Sequence, residues 1–273
     1  MDQRLPPLSL YVHLPWCAKK CPYCDFNSHK AGDAGLFERY TDAVIADIRE
    51  EAALAGSRPV QTIFLGGGTP SLFSPQQIGR ILAACRQSLA LVDDCEITME
   101  ANPGTIERGS LRAYREAGVT RLSIGAQTFD PAILKTLGRI HGPSEITDAV
   151  QEAREAAYDS INVDLMFALP GQTPELAARD LDAIIRLEPA HVSYYQLTLE
   201  PNTVFHRRPP SGLPDDDEAW NMQSLGHSML SAAGYEQYEI SAFARPGHQS
   251  LHNLNYWQFG DYLAAGAGAH GKL

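Results

Sequence analysis

Leu8-Ser9-Leu10-Tyr11-Val12-His13-Leu14-Pro15-Trp16-Cys17-Ala18-Lys19-Lys20-Cys21-Pro22-Tyr23-Cys24 is the stretch whose reading decides the fold. Leu8 to His13 is a short β-rich run, and the loop directly after it carries cysteines at C-x3-C-x2-C spacing. A strand that empties into a loop of ligand-type side chains is the unit of an α/β protein, in which chemistry collects at the carboxyl ends of parallel strands.

Outward from this unit the pattern repeats. Val60 to Leu65, Glu96 to Glu100, Arg121 to Ala126, Ile161 to Leu165 and Val192 to Leu199 read as further strands, bringing the count to six. Between them Leu36 to Leu54, Gln76 to Leu89, Ser110 to Ala117, Ser144 to Ala157 and Pro174 to Leu187 read as amphipathic helices. Ser74-Pro75 supplies an N-cap with proline in the first turn, and Gly118 suits a helix end. Mostly continuous apolar strands alternating with helices imply a parallel sheet covered by helices, either a (β/α) barrel or an open doubly wound sheet. The polar residues fall on one rim: Cys17 to Cys24 follow strand one, Gly66-Gly67-Gly68 follow strand two, Glu100 ends strand three, Gln127 ends strand four and Asp164 lies late in strand five. An irregular, proline-rich stretch, Pro201 to Pro214, leads to a helix over Asp215 to Ala233, an edge strand over Tyr235 to Ile240 and a polar loop. The expected organisation is a core over residues 1–200 with flanking elements over 201–273.

With 273 residues and 44% apolar content, the chain can be one barrel-sized domain. Its net charge of −11 disfavours a nucleic-acid surface, because phosphate binding runs on clustered Lys and Arg. No stretch approaches eighteen consecutive apolar residues. The proline-bearing N-terminus, Met1 to Leu8, is not a basic region followed by an apolar run. The cytoplasm is therefore the simplest location, which leaves peripheral membrane contact open. The five cysteines do not read as a disulfide framework. Cys85 shares a helical face with Ile78, Ile81, Leu82 and Leu89, and Cys95 opens a strand-like run, so both read as core thiols.

Cys17, Cys21 and Cys24 are the candidate metal ligands. A tetra-iron cluster usually takes four cysteines, so three leave one iron open to another ligand. Spacing alone also permits a zinc site completed by His13, Asp25 or His29.

The triplet, with Tyr23 before its last cysteine, resembles the radical S-adenosylmethionine (SAM) signature, in which the open iron chelates the amino and carboxylate groups of SAM. The wording around it, Tyr11-Val12-His13-Leu14-Pro15-Trp16-Cys17 and Cys24-Asp25-Phe26-Asn27-Ser28, resembles the HemW family of haem chaperones, relatives of oxygen-independent coproporphyrinogen III oxidase. The resemblance runs from Leu8 to Leu273. It implies a partial (β/α)6 TIM-like barrel with mostly parallel strands, a [4Fe–4S] cluster, SAM and haem as cofactors, and haem-requiring acceptor proteins and an electron donor as partners. Gly67, Gly68 and Thr69 then resemble the segment that binds the SAM amino group, although alone the glycine run is also an ordinary tight turn. Glu100, Gln127, Arg139 and Asp164 match SAM-binding motif positions, where each alone could equally be a structural ion-pair partner, and Tyr11 and Tyr23 carry over as neighbours of the cluster or SAM.

His252-Asn253-Leu254-Asn255-Tyr256-Trp257 resembles the H-N-x-x-Y-W motif of the haem-chaperone branch. The resemblance implies His252 as a haem contact, with His248 as an alternative, whereas the residues alone read as a surface loop with a partly buried Trp. The expected function is haem carriage and delivery; splitting of SAM to methionine and a 5′-deoxyadenosyl radical is implied for the family and left open here. The first competitor is the oxidase, which carries a fourth cysteine two positions after the third, where this chain has Phe26. The second is a non-redox zinc-binding barrel. The family places a smaller C-terminal domain after the barrel, and this chain ends just beyond Ala264-Ala265-Gly266-Ala267-Gly268-Ala269-His270-Gly271, so it reads as shortened, with an exposed cluster.

Overall fold

The computed structural model of the chain describes residues 5–32, 34–106 and 110–273, the side chains of 34 and 110 excepted. Of the N-terminal stretch read above, residues 1–4 lie outside the described residues.

In chain order the first strand, β1 (Leu8–Leu14), is followed by the short parallel pair β2 (Trp16–Cys17) and β3 (His29–Lys30), and by helix α1 (Ala34–Ala55). Next come β4 (Val60–Gly67), α2 (Pro75–Ser88), β5 (Leu91–Ala101), α3 (Ser110–Ala117) and β6 (Arg121–Gln127). The chain continues through α4 (Pro131–Thr136), α5 (Pro143–Glu155), β7 (Ser160–Phe167), α6 (Pro174–Arg186) and β8 (His191–Gln196). It ends with α7 (Val204–Arg207), α8 (Asp216–Ala232), β9 (Glu236–Gln237), β10 (Ala242–Ala244), α9 (Leu251–Trp257) and β11 (Asp261–Ala265).

The six expected parallel strands all form, because each is buried on both faces, one apolar under the helices and the other carrying polar residues toward the interior. Along β1 only Tyr11 is not fully buried: helices cover one face and side chains fill the other. They join one nine-stranded sheet, ordered β11-β1-β4-β5-β6-β7-β8-β10-β9. Every neighbouring pair from β11 to β8 is parallel, and β10 turns the last edge antiparallel. β11 and β9 are the two ends of the order and, among the described residues, do not pair with each other, which gives the wall the form of an open, partial barrel.

The local signals explain the helix ends. Ser74 accepts from the Gln77 amide at 3.2 Å while its own amide donates to Gln77 Oε1 at 2.9 Å, a reciprocal cap that starts α2. The inner face of α2 is Ile78, Ile81, Leu82 and Cys85, all completely buried, and Cys95 is buried as well. Gly118 follows α3 with φ +113°, a conformation that glycine adopts without steric cost.

The structure differs from the sequence reading in four places. The edge strand expected over Tyr235 to Ile240 shortens to β9, and the strand that joins the sheet beside β8 is β10, after Ile240. The parallel strands are not six, because β11 adds itself beside β1; this five-residue segment, with Tyr262 as its only strand-favouring residue and no β-branched one, carries only a weak strand signal. The segment read as a polar loop is the helix α9, capped by the Ser250 side chain and by the Glu96 carboxylate, which accepts from the Leu251 and His252 amides at 3.1 Å. Residues 201–273 do not form a flanking unit, since β10 pairs with β8 and β11 with β1 inside the one sheet.

Candidate functional site

The cysteine loop is tied down at its base. His29 N donates to Pro15 O and Ala31 N to Cys17 O, both at 2.8 Å, which closes the β2–β3 pair. Within the loop Cys24 N donates to Cys21 O at 3.2 Å, and Lys20 Nζ donates to the carbonyls of Phe26 and Ser28 at 3.0 Å. His13 Nε2 meets Asn27 O at 2.9 Å from the end of β1. The three thiols are free. Arg139 Nη1 donates to Cys21 Sγ at 3.8 Å, and Cys24 Sγ lies 3.8 Å from Ser28 Oγ. Burial pushes the Cys24 thiol up.

The glycine turn after β4 lies directly under this loop. Gly68 N donates to Leu14 O at 2.9 Å and Thr69 N to Trp16 O at 2.8 Å. A Cβ on Gly68 would stand 2.6 Å from the Pro15 carbonyl carbon, and one on Gly67, whose φ is +109°, would stand 2.4 Å from the His13 ring. The glycines therefore let two backbone segments touch, and Gly67 N adds a 3.1 Å bond to Glu100 Oε2.

Two carboxylates face each other across the interior. Burial, then the charge of Asp164, raises the Glu100 carboxyl to about 8 against the pull of the Gly67 amide. Burial also raises Asp164, against the Asn162 side chain, which donates to its Oδ1 at 2.7 Å. Such a pair favours a cationic ligand. Gln127, at the rim of β6, has φ +72°, a strained conformation for a residue with a side chain. Its Oε1 accepts from Tyr195 Oη at 2.7 Å. Arg139 Nη2 donates to Gly125 O at 2.7 Å.

Cys17, Cys21, Cys24, Tyr23, Gly67, Gly68, Thr69, Glu100, Gln127, Arg139 and Asp164 all line one cavity of about 570 Å³. Tyr11 and His252 do not. Tyr11 stacks on Phe64, a cavity-lining ring, with centroids 6.2 Å apart, and its hydroxyl meets His13 Nδ1 at 3.0 Å. His252 sits behind the same Phe64 ring at 5.1 Å, completely enclosed. The Thr62 hydroxyl donates to Ser9 Oγ at 2.8 Å, so His252 Nδ1–H donates to Thr62 at 2.7 Å and Nε2 accepts from Tyr256 Oη at 2.9 Å. Burial lowers this imidazole to about 3. In this arrangement neither ring nitrogen is free for iron, and Asn253 is the motif residue on the cavity wall. The segment is not a surface loop: it winds into α9, where His252 is buried and both its ring nitrogens are hydrogen-bonded, to Thr62 and Tyr256.

Sequence reasoning missed the lower wall of the cavity, formed by Arg121, Ser123, Asn162, His191, Ser193 and Tyr195. The signal was available in the period of two: residues 121, 123, 125 and 127 of one strand and 191, 193 and 195 of another point to the same side.

The donor set suits a multi-iron cluster. Three free thiols line the open end of a cavity with an arginine beside one of them and no fourth cysteine. Among the described residues no group of three His, Cys, Asp or Glu side chains is drawn together as around a bound metal ion, Cys17, Cys21 and Cys24 included. No helix among the described residues is long and apolar enough to cross a membrane.

Comparison with known proteins agrees with this geometry. Residues 11–184 match the Radical SAM superfamily. The heme chaperone HemW of Escherichia coli (strain K12) is 53% identical over 270 residues, covering 99% of this chain and 71% of that protein. The heme chaperone HemW of Haemophilus influenzae is 49% identical, with the same coverage of 99% and 71%. Among solved structures, the coproporphyrinogen III oxidase HemN of Escherichia coli, described as a radical SAM enzyme, superposes with a TM-score of 0.87 at 29% identity, covering 98% of this chain and 65% of that one.

Proposed function

Because the chain belongs to the HemW family within the radical SAM superfamily, we propose that it binds a [4Fe–4S] cluster, SAM and haem, and delivers the haem to acceptor proteins. The observation that carries this reading is the joining of the cysteine loop, the glycine turn and the paired carboxylates on one cavity. Cys17, Cys21 and Cys24 would hold the cluster. Bound there, the cluster and SAM would supply one-electron chemistry, with electrons from an external donor.

The chain's own residues do the rest. Gly67, Gly68 and Thr69 bring the turn against the cysteine loop and onto the cavity wall, where a ligand can reach it, and Glu100 and Asp164 meet the ligand's cationic groups. Gln127 and Arg139 fix the rim, with Tyr23 against the cluster loop. Arg139 also places a positive charge beside the Cys21 sulfur.

His252 is proposed as the haem contact, on a condition set by its bonds. Its Nε2 lone pair becomes free for iron only when Tyr256 turns aside. Titration of haem into the full chain tests this. Tyr256→Phe should tighten binding, and His252→Gln should abolish the imidazole spectral signature; unchanged spectra in both variants would remove His252 from the site.

The structural likeness to HemN keeps oxidative decarboxylation as the second reading. Phe26 argues against it: where the oxidase has its extra cysteine, this chain exposes an aromatic ring at the cavity mouth, 57% accessible. Haem binding without porphyrinogen turnover supports carriage. Efficient decarboxylation by the reconstituted chain would reverse the assignment.

A further inference from the structure

Arg121 opens β6 at the closed end of the cavity, and its residue is only 3% exposed. It lies six residues before Gln127, which in an extended strand is roughly 20 Å below the rim. The rim carries the cluster loop and the residues assigned above to SAM. Arg121 is thus a second cationic element on a different level of the same cavity.

What surrounds it leaves it unpaired. Asn162 Nδ2 donates to Ser123 Oγ at 2.8 Å and to Asp164 Oδ1 at 2.7 Å, and Ser193 Oγ donates to Asn162 Oδ1 at 3.1 Å. His191 spends Nδ1 on Asn162 Oδ1 at 2.6 Å and Nε2 on Tyr238 Oη at 2.7 Å. This network closes on itself. Among the described residues Arg121 Nε has no hydrogen-bond partner, and no ion pair joins the guanidinium to Asp164 or Glu100. Its charge is still felt nearby, since it helps to hold His191 and His252 neutral and opposes the upward shift of Asp164.

A charged group removed from water costs several kcal/mol unless an opposite charge meets it with good geometry. A guanidinium presents parallel N–H donors that match the two oxygens of a carboxylate. We infer that the floor of the cavity is an anion subsite, in which Arg121 receives a carboxylate arm of the ligand that shares the cavity with SAM. The ligand class is a carboxylic acid whose charged arm is slender enough to pass below the rim. This subsite stands on Arg121 and its surroundings, whether or not the cargo is haem.

The test reads Arg121 directly in the full chain. The protein is labelled with 15N and 13C, and the Arg121 Nε–Hε signal, assigned by through-bond correlation from its backbone amide, is followed while sodium propionate is added. A saturable downfield movement of Hε is expected. Propionamide, equal in shape and uncharged, should leave the signal in place, and Arg121→Lys should weaken propionate binding about tenfold because the paired bonds are lost. Saturation with S-adenosylhomocysteine beforehand separates the two sources of carboxylate. A propionate response that persists in its presence supports the subsite. The inference is overturned if Hε does not respond, if propionamide moves it equally, or if S-adenosylhomocysteine alone produces the shift and blocks propionate.

Discussion

Replacing Glu100 by Gln keeps the shape and the acceptor for the Gly67 amide while removing the titration. In the free protein the carboxyl sits at about 8 through burial and the charge of Asp164. An acid held above its ordinary value keeps its proton at pH 7, so the group is mostly protonated there. A cationic ligand that pairs with Glu100 must drive the proton off. Below pH 8 binding therefore releases close to one proton, and affinity rises about tenfold per pH unit, or ~1.4 kcal/mol, until the slope vanishes above pH 8. Calorimetry of SAM binding between pH 6 and 9, in two buffers of different ionisation enthalpy, measures that proton. The ligand's own amino group titrates identically with wild type and Glu100→Gln, so the difference in slope belongs to Glu100. Parallel pH profiles for the two proteins would refute the argument that this carboxyl meets the ligand ionised.

Gly67→Ala should destabilise the chain by about 2–5 kcal/mol, from a left-handed φ of ~1–2 kcal/mol and overpacking of ~1–3 kcal/mol against His13. Denaturant titration measures the loss, and iron retention should fall with it, because His13 also holds Asn27 in the cysteine loop. His252→Ala should cost about 2–4 kcal/mol, since it empties a buried site and strands the Thr62 and Tyr256 hydroxyls; a variant as stable as wild type would show that these bonds contribute nothing. Ser74→Ala removes the reciprocal cap of α2 and should cost about 1 kcal/mol by the same assay, without changing ligand binding.

The sequence carried the fold wherever one physical signal dominated. The apolar strands from Leu8 onward and the Ser74-Pro75 cap were legible because burial on two faces and an N-terminal hydroxyl leave marks in a single window of residues. β11 was not, because Asp261–Ala265 becomes a strand through the edge that β1 offers it rather than through its own preference. α9 was missed for a related reason: its cap includes Glu96, 155 residues away from Leu251 in sequence. At the site, the cysteines, the glycines and the rim carboxylates were readable from position after a strand. Arg121 was not, because a buried arginine at the start of a strand looks the same in sequence whether its partner is a neighbouring carboxylate or a ligand.

On the proposed reading Cys17, Cys21 and Cys24 hold a tetra-iron cluster with one iron open toward this cavity. Mössbauer spectroscopy of the anaerobically reconstituted, iron-57-labelled chain, with parallel iron and sulfide analysis, tests it most directly. About four irons and four sulfides per chain are expected, with the signal of one iron alone changing when SAM is added. A colourless protein carrying zinc, or a cluster whose irons all ignore SAM, would contradict the account.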